Sequence, residues 1–189
     1  MKLRLLKIDL VIGYEAVAAM TAVLLLDREN RVIGCFLAAL LHESGHIFMM
    51  VLYGVKVRRV KLRLFDVLIE ADEPPTLRSD VMITLAGPAI NLVCAAAICP
   101  FSLKTGLPHF ALGVFNLLPV MSLDGGHLLG IALSRKLTPR ACDIVLHVTS
   151  FIIFLPLMTA GIYILFRSGY NYTLLLISLY LLAVLLLKK

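Results

Sequence analysis

Long apolar runs separated by short charged stretches organise this chain. Six such runs can be drawn, at about 8–26, 32–54, 79–100, 107–133, 141–166 and 170–187. Each is close to the ~20 apolar residues a helix needs to cross the ~30 Å hydrocarbon core of a bilayer. Two stretches break the pattern. Residues 55–64, VKVRRVKLRL, largely alternate apolar and basic, which is the period of a strand with one polar face. With the following FDVLIEAD they predict a small β-hairpin at 55–70 on the cytoplasmic side of the membrane; the alternative is a basic loop lying on anionic lipid heads. The second is FNLLPVMSLDGGHLL in the fourth run, where Pro119 disfavours helix at Leu118 and the Gly125–Gly126 pair weakens it again. The expectation is a broken helix, which survives at membrane depth only beside protein or a wet cavity. The predicted fold class is therefore an all-α polytopic membrane protein of about six transmembrane helices, forming one domain over 1–189.

Composition agrees with that class. Hydrophobic residues make up 60% of the chain and charged residues 16%, against about half and a quarter in soluble domains. The net charge of +6 does not point to nucleic acid, because the basic residues sit in short segments between apolar runs. With both termini placed in the cytoplasm, 14 of the 18 Lys and Arg fall on the inner side and 4 on the outer. That asymmetry predicts a multi-pass cell-membrane protein of this orientation. The start, MKLRLLKIDL, is basic then apolar like a signal peptide, but lacks a small-residue cleavage site and reads as a retained first span. The four cysteines show no CxxC spacing and read as small buried hydrophobes.

The sharpest chemical signal is His42-Glu43-Ser44-Gly45-His46. On a helix, positions i and i+4 share a face, so both imidazoles can bind one metal ion, with the intervening Glu placed to take a proton from bound water. Composition alone gives this motif in about 0.3% of such chains. Ionisable groups in mid-span are costly and usually functional. The bland alternative is a polar cluster satisfied by neighbouring helices without metal. Two imidazoles leave a third ligand to be found among Asp9, Glu15, Asp124 and Asp143. Asp124 lies at a depth similar to His46 and is the expected ligand, the alternative being an N-cap for a half-helix starting near Gly125.

HESGH on one span, LAGPAIN (85–91) on the next and NLLPVMSLDGGH (116–127) on the one after resemble the site-2 protease family of intramembrane zinc metalloproteases. The match covers about 32–133. The resemblance implies one Zn2+ per chain held by His42, His46 and Asp124, Glu43 as catalytic base, and Asn116 orienting substrate. It implies peptide-bond hydrolysis of membrane-tethered proteins within or beside the bilayer, with a membrane regulatory protein as a further partner. A single span before HExxH, with no PDZ domain, is similar to the sporulation branch that processes a sigma-factor precursor. The cystathionine-β-synthase-type domain of several such relatives is not found here.

Other polar residues carry weaker expectations. His127, three residues after Asp124, and Asn91, one turn after Gly87-Pro88, are candidates for supporting the metal site or contacting substrate. Gly87 is expected to serve close helix packing. Glu15 and the Asp143/His147 pair have no assigned role, and His109 is expected near the outer surface with no part in chemistry. A non-catalytic membrane scaffold or a metal transporter using the same site is the alternative function. A prenyl-protein type of HExxH protease is disfavoured, because its third ligand is generally Glu and here the LDGG segment offers Asp124.

Overall fold

The computed structural model describes residues 2–5, 8–12, 31–62 and 67–169, with single positions at 14, 21, 174, 175, 178, 179 and 182. The backbone forms two compact units, residues 1–115 and 116–189.

The first unit holds four strands and three helices among its described residues. Strands β1 (Lys2–Leu5) and β2 (Ile8–Ile12) form an antiparallel pair, and helix α1 runs over Arg31–Leu52. Gly54 ends α1 with φ of 71°, and Val55 N–H donates to Met50 O while Gly54 N–H donates to Val51 O. This is a Schellman cap, which needs a residue free of a Cβ penalty at positive φ. The chain then enters β3 (Val57–Leu62) and β4 (Val67–Ala71), an antiparallel pair. The hairpin predicted at 55–70 is thus present, and it belongs to a larger sheet of order β1-β2-β3-β4, with β2 parallel to β3.

That sheet corrects the all-α expectation and the first apolar run. Residues 8–12 were expected to open a helix over 8–26; they are a strand, because the ladder to β3 satisfies their backbone. The rest of that run lies mostly outside the described residues, as does the sixth run at 170–187. A register shift between Val57 and Arg59 makes Arg58 a bulge, turning it towards Asp72 while Arg59 and Lys61 reach Glu70.

Helix α2 (Leu77–Ile98) starts with a reciprocal capping box: Ser79 N–H donates to Thr76 Oγ1 and Thr76 N–H to Ser79 Oγ. Such a cap stabilises a helix start by about 1 kcal/mol. Helix α3 (Leu103–Asn116) buries Gly106, His109 and Gly113, a stripe at i, i+3 and i+7. A Cβ at Gly113 would stand 3.1 Å from Leu92 and 3.2 Å from the Pro88 carbonyl oxygen, so α3 lies close against α2.

In the second unit the expected helix break occupies 117–123, between α3 and α4 (Asp124–Ser134). Its irregular backbone is satisfied locally, Leu123 N–H donating to Val120 O and Met121 N–H to the fully buried Ser150 Oγ. The Gly125–Gly126 pair, read as a helix-weakening element, falls just after the break, at the start of α4. Both glycines are buried in its first turn, where a Cβ would strike the carbonyls of Leu117, Leu118 and Val120. They are there so that the break can fold back over the helix start. Helix α5 (Pro139–Ser168) begins at an N-cap, Thr138, with Pro139 at the first helical position, and ends at Gly169 with φ of 72°.

Among the described residues, three helices have the length and apolarity of membrane spans: Ile33–Leu52, Leu77–Ile98 and Pro139–Ser168. Large apolar side chains cover their outsides, among them Phe48, Val51, Val93, Ile152, Leu155 and Phe166, each more than half exposed. In water such a surface would aggregate. In lipid it is the expected contact face.

Candidate metal centre

Helix α1 places His42 and His46 one turn apart on one face, and both are buried. Helix α2 crosses that face, and two glycines set how closely. A Cβ at Gly45 would stand 2.7 Å from the Ala86 carbonyl oxygen; one at Gly87 would overlap the His46 ring and stand 2.9 Å from His42 Cε1. Gly87 therefore does more than pack helix on helix. It makes the room in which the two imidazoles sit.

The ring orientations follow from their hydrogen bonds. His46 Nδ1 lies 2.8 Å from the Ile83 carbonyl oxygen. A carbonyl only accepts, so Nδ1 carries the hydrogen and the lone pair of a neutral His46 is on Nε2. The two Nε2 atoms are 3.2 Å apart. Two nitrogens on one tetrahedral ion at about 2.0–2.1 Å would stand roughly 3.3–3.4 Å apart. The pair thus has the spacing of two ligands to a single zinc-sized ion. His42 Nδ1 faces the Asn91 amide at 3.3 Å, and the other end of that amide lies 3.1 Å from His109 Nδ1. Asn91 is completely buried, and His109 nearly so.

This arrangement corrects the expectation for His109. The residue was expected near the outer surface with no part in chemistry; it is buried on α3 with its Nδ1 against the Asn91 amide. The missed signal was the Gly106–His109–Gly113 spacing, which marks the packed face of a short helix. Asn91, one turn beyond Gly87 on α2, is brought against His42 as a supporting partner. Glu43, next to His42 on α1, is half-buried.

In the second unit, Asp124 is the first residue of α4 and half-buried. The N-cap position is Leu123, which makes no side-chain cap bond, so the capping role weighed for Asp124 is not the one it fills. Asn116 is half-buried at the end of α3, and His127 is exposed on α4. The Asp143/His147 pair meets through the backbone, His147 Nδ1–H donating to Asp143 O at 2.8 Å. Glu15 lies outside the described residues.

Comparison with known proteins agrees with these motifs. Residues 100–156 match the model of Peptidase family M50. A zinc metalloprotease of Methanocaldococcus jannaschii is 28% identical over 114 residues, 53% of this chain and 33% of that protein. A provisionally named zinc metalloprotease of Synechocystis sp. is 30% identical over 108 residues, 50% of this chain and 28% of that protein. The matched stretch thus spans about a third of the length of these relatives. The solved site-2 protease from Methanocaldococcus jannaschii superposes with a TM-score of 0.71 at 21% identity, covering 96% of this chain and 91% of that one. The chain is thus similar to Peptidase family M50 over residues 100–156, and its fold is that seen in a solved site-2 protease.

Proposed function

We propose that this chain is an intramembrane zinc metalloprotease, with one zinc per chain held by His42, His46 and Asp124 and with Glu43 as its catalytic base. The observation that carries the reading is the 3.2 Å spacing of the two Nε2 atoms, with the His46 ring held by a backbone carbonyl. Two imidazoles and one carboxylate are a donor set that suits zinc and leaves a position for water. The similarity to Peptidase family M50 and to zinc metalloproteases supports the same assignment.

Bound zinc supplies Lewis acidity, making water a stronger acid and polarising a carbonyl. The remaining steps belong to the side chains. Glu43 accepts the proton of the attacking water and returns it to the departing amine. Asn116 orients the scissile segment, Asn91 supports His42, and His127 is a further polar group near the Asp124 turn. A helical substrate hides its carbonyls in its own hydrogen bonds and must be drawn out before it is cut. Among the described residues strand β4 is an edge of the sheet and offers main-chain pairing for that purpose.

The substrate class is a membrane-tethered protein, cut within or beside the bilayer in regulated proteolysis, with a sporulation sigma-factor precursor as the specific instance and a membrane protein as regulator. Six spans with both termini in the cytoplasm and a single membrane domain complete the reading.

The test is metal analysis of the purified full chain beside cleavage of a membrane-tethered reporter. Glu43→Gln should keep zinc and lose cleavage by at least about 100-fold. Asp124→Asn should lower zinc affinity more than tenfold, exceeding the ~10-fold cost of losing a supporting partner. A Glu43→Gln protein that cut the reporter at the wild-type rate would end the proposal.

A further inference from the structure

Five groups in the first unit form one continuous hydrogen-bonded chain: His109 Nδ1 to the Asn91 amide, the amide to His42 Nδ1, His42 Nε2 to His46 Nε2, and His46 Nδ1 to the Ile83 carbonyl. Every side chain in it is buried. Only the last link has a fixed sense, because the carbonyl can only accept. The two links through the Asn91 amide can run either way through the same heavy-atom positions; when they are reversed, the His42–His46 hydrogen bond is lost and both Nε2 lone pairs face the position of the ion.

In one sense, with the amide atoms as the structure places them, His109 Nδ1–H donates to Asn91 Oδ1, Asn91 Nδ2–H donates to His42 Nδ1, and His42 Nε2–H donates to His46 Nε2. In the other the amide is turned end for end. His42 Nδ1–H then donates to Asn91 Oδ1, and Asn91 Nδ2–H donates to His109 Nδ1. The two amide ends are so alike in shape that this turn needs no change in packing. Both senses carry the same protons, one on each ring and two on the amide. The difference is where His42 keeps its own. Only the second sense puts the His42 lone pair on Nε2, where it can ligate the ion shared with His46.

We infer that His109 is a positioning residue: paired to the far end of the Asn91 amide, it fixes that buried side chain where its near end can accept from His42 Nδ1–H and leave His42 Nε2 for the ion. The inference rests on the metal site proposed above and adds to it a third histidine that never touches the ion. His109 reaches Asn91 because α3 packs closely, through Gly106 and Gly113. An apolar residue at 109 would leave one end of a buried amide unpaired and free the Asn91 side chain from its place against His42.

Zinc affinity of the full chain in detergent, measured by competition with a chelator, reads the effect without reference to cleavage. His109→Leu and His109→Phe, which cannot accept, should each bind zinc about tenfold more weakly, the usual cost of losing an outer partner of a metal-bound histidine. If one of them does not fold, the other carries the comparison. His109→Asn places an amide oxygen near the position of Nδ1 and should stay within about twofold of wild type. Wild-type affinity in the Leu and Phe proteins, or an Asn protein as weak as they are, would overturn the inference. His42→Ala is the control for the underlying site. If it binds zinc as wild type does, the metal site itself falls; if it loses zinc while His109→Leu does not, the positioning role alone falls.

Discussion

Two polar regions of the first unit use their charges and dipoles in opposite ways. On the β3–β4 hairpin, Arg58, Arg59 and Lys61 pair with Asp72 and Glu70 at partly exposed positions. Water screens those pairs, and each contributes little. At the α1–α2 crossing, His42, His46, Asn91 and His109 are buried, and each is held by a named partner. There the same kind of polar atom has no water to fall back on, so a lost partner is costly. Burial, more than the number of polar groups, decides which region fixes geometry.

Three experiments would break or sharpen that contrast. The largest effect is expected at Gly87→Ala, because the new Cβ would overlap the His46 ring. The protein should lose about 1–3 kcal/mol of stability by detergent unfolding, the usual cost of overpacking. Zinc binding should fall with it, and wild-type binding in this variant would mean that the rings do not need the cleft.

Deleting the β3–β4 hairpin should act differently. Zinc content stays near the wild-type level, since the hairpin supplies no ligand, while reporter cleavage falls by at least about tenfold as strand pairing is lost. Full cleavage without the hairpin would remove the substrate-drawing role given to β4.

The smallest effect is expected for Glu70→Gln, which removes the ion pairs to Arg59 and Lys61 but leaves the strand ladder. Stability should change by about 0.2–1 kcal/mol, less in high salt, with cleavage unaltered. A loss as large as that of Gly87→Ala would erase the distinction between the two regions.

How much of this could be read beforehand differs by element. The His42–His46 pairing follows from helical spacing alone, so the sequence carries it locally. The hairpin at 55–70 was visible because its alternation lasts ten residues. Strand β2 was not, since five apolar-rich residues fit either helix or strand, and its partner β3 lies some fifty residues further on. The break around Pro119 was legible from proline chemistry. The role of Gly125 and Gly126 was not, because it depends on carbonyls that only the fold brings near. The packing of His109 was not legible for a similar reason: the glycine spacing around it makes sense only once α3 is seen against α2.

The two imidazole tethers differ in how they can be inherited. His46 is steadied by the main-chain oxygen of residue 83, so any side chain that keeps α2 helical there preserves the tether. His42 depends on the side chain at 91, and a single codon change can remove that support. Position 83 can therefore change to any residue its buried site can pack without loosening the tether, while position 91 cannot, giving the two arms of one site unequal mutational robustness.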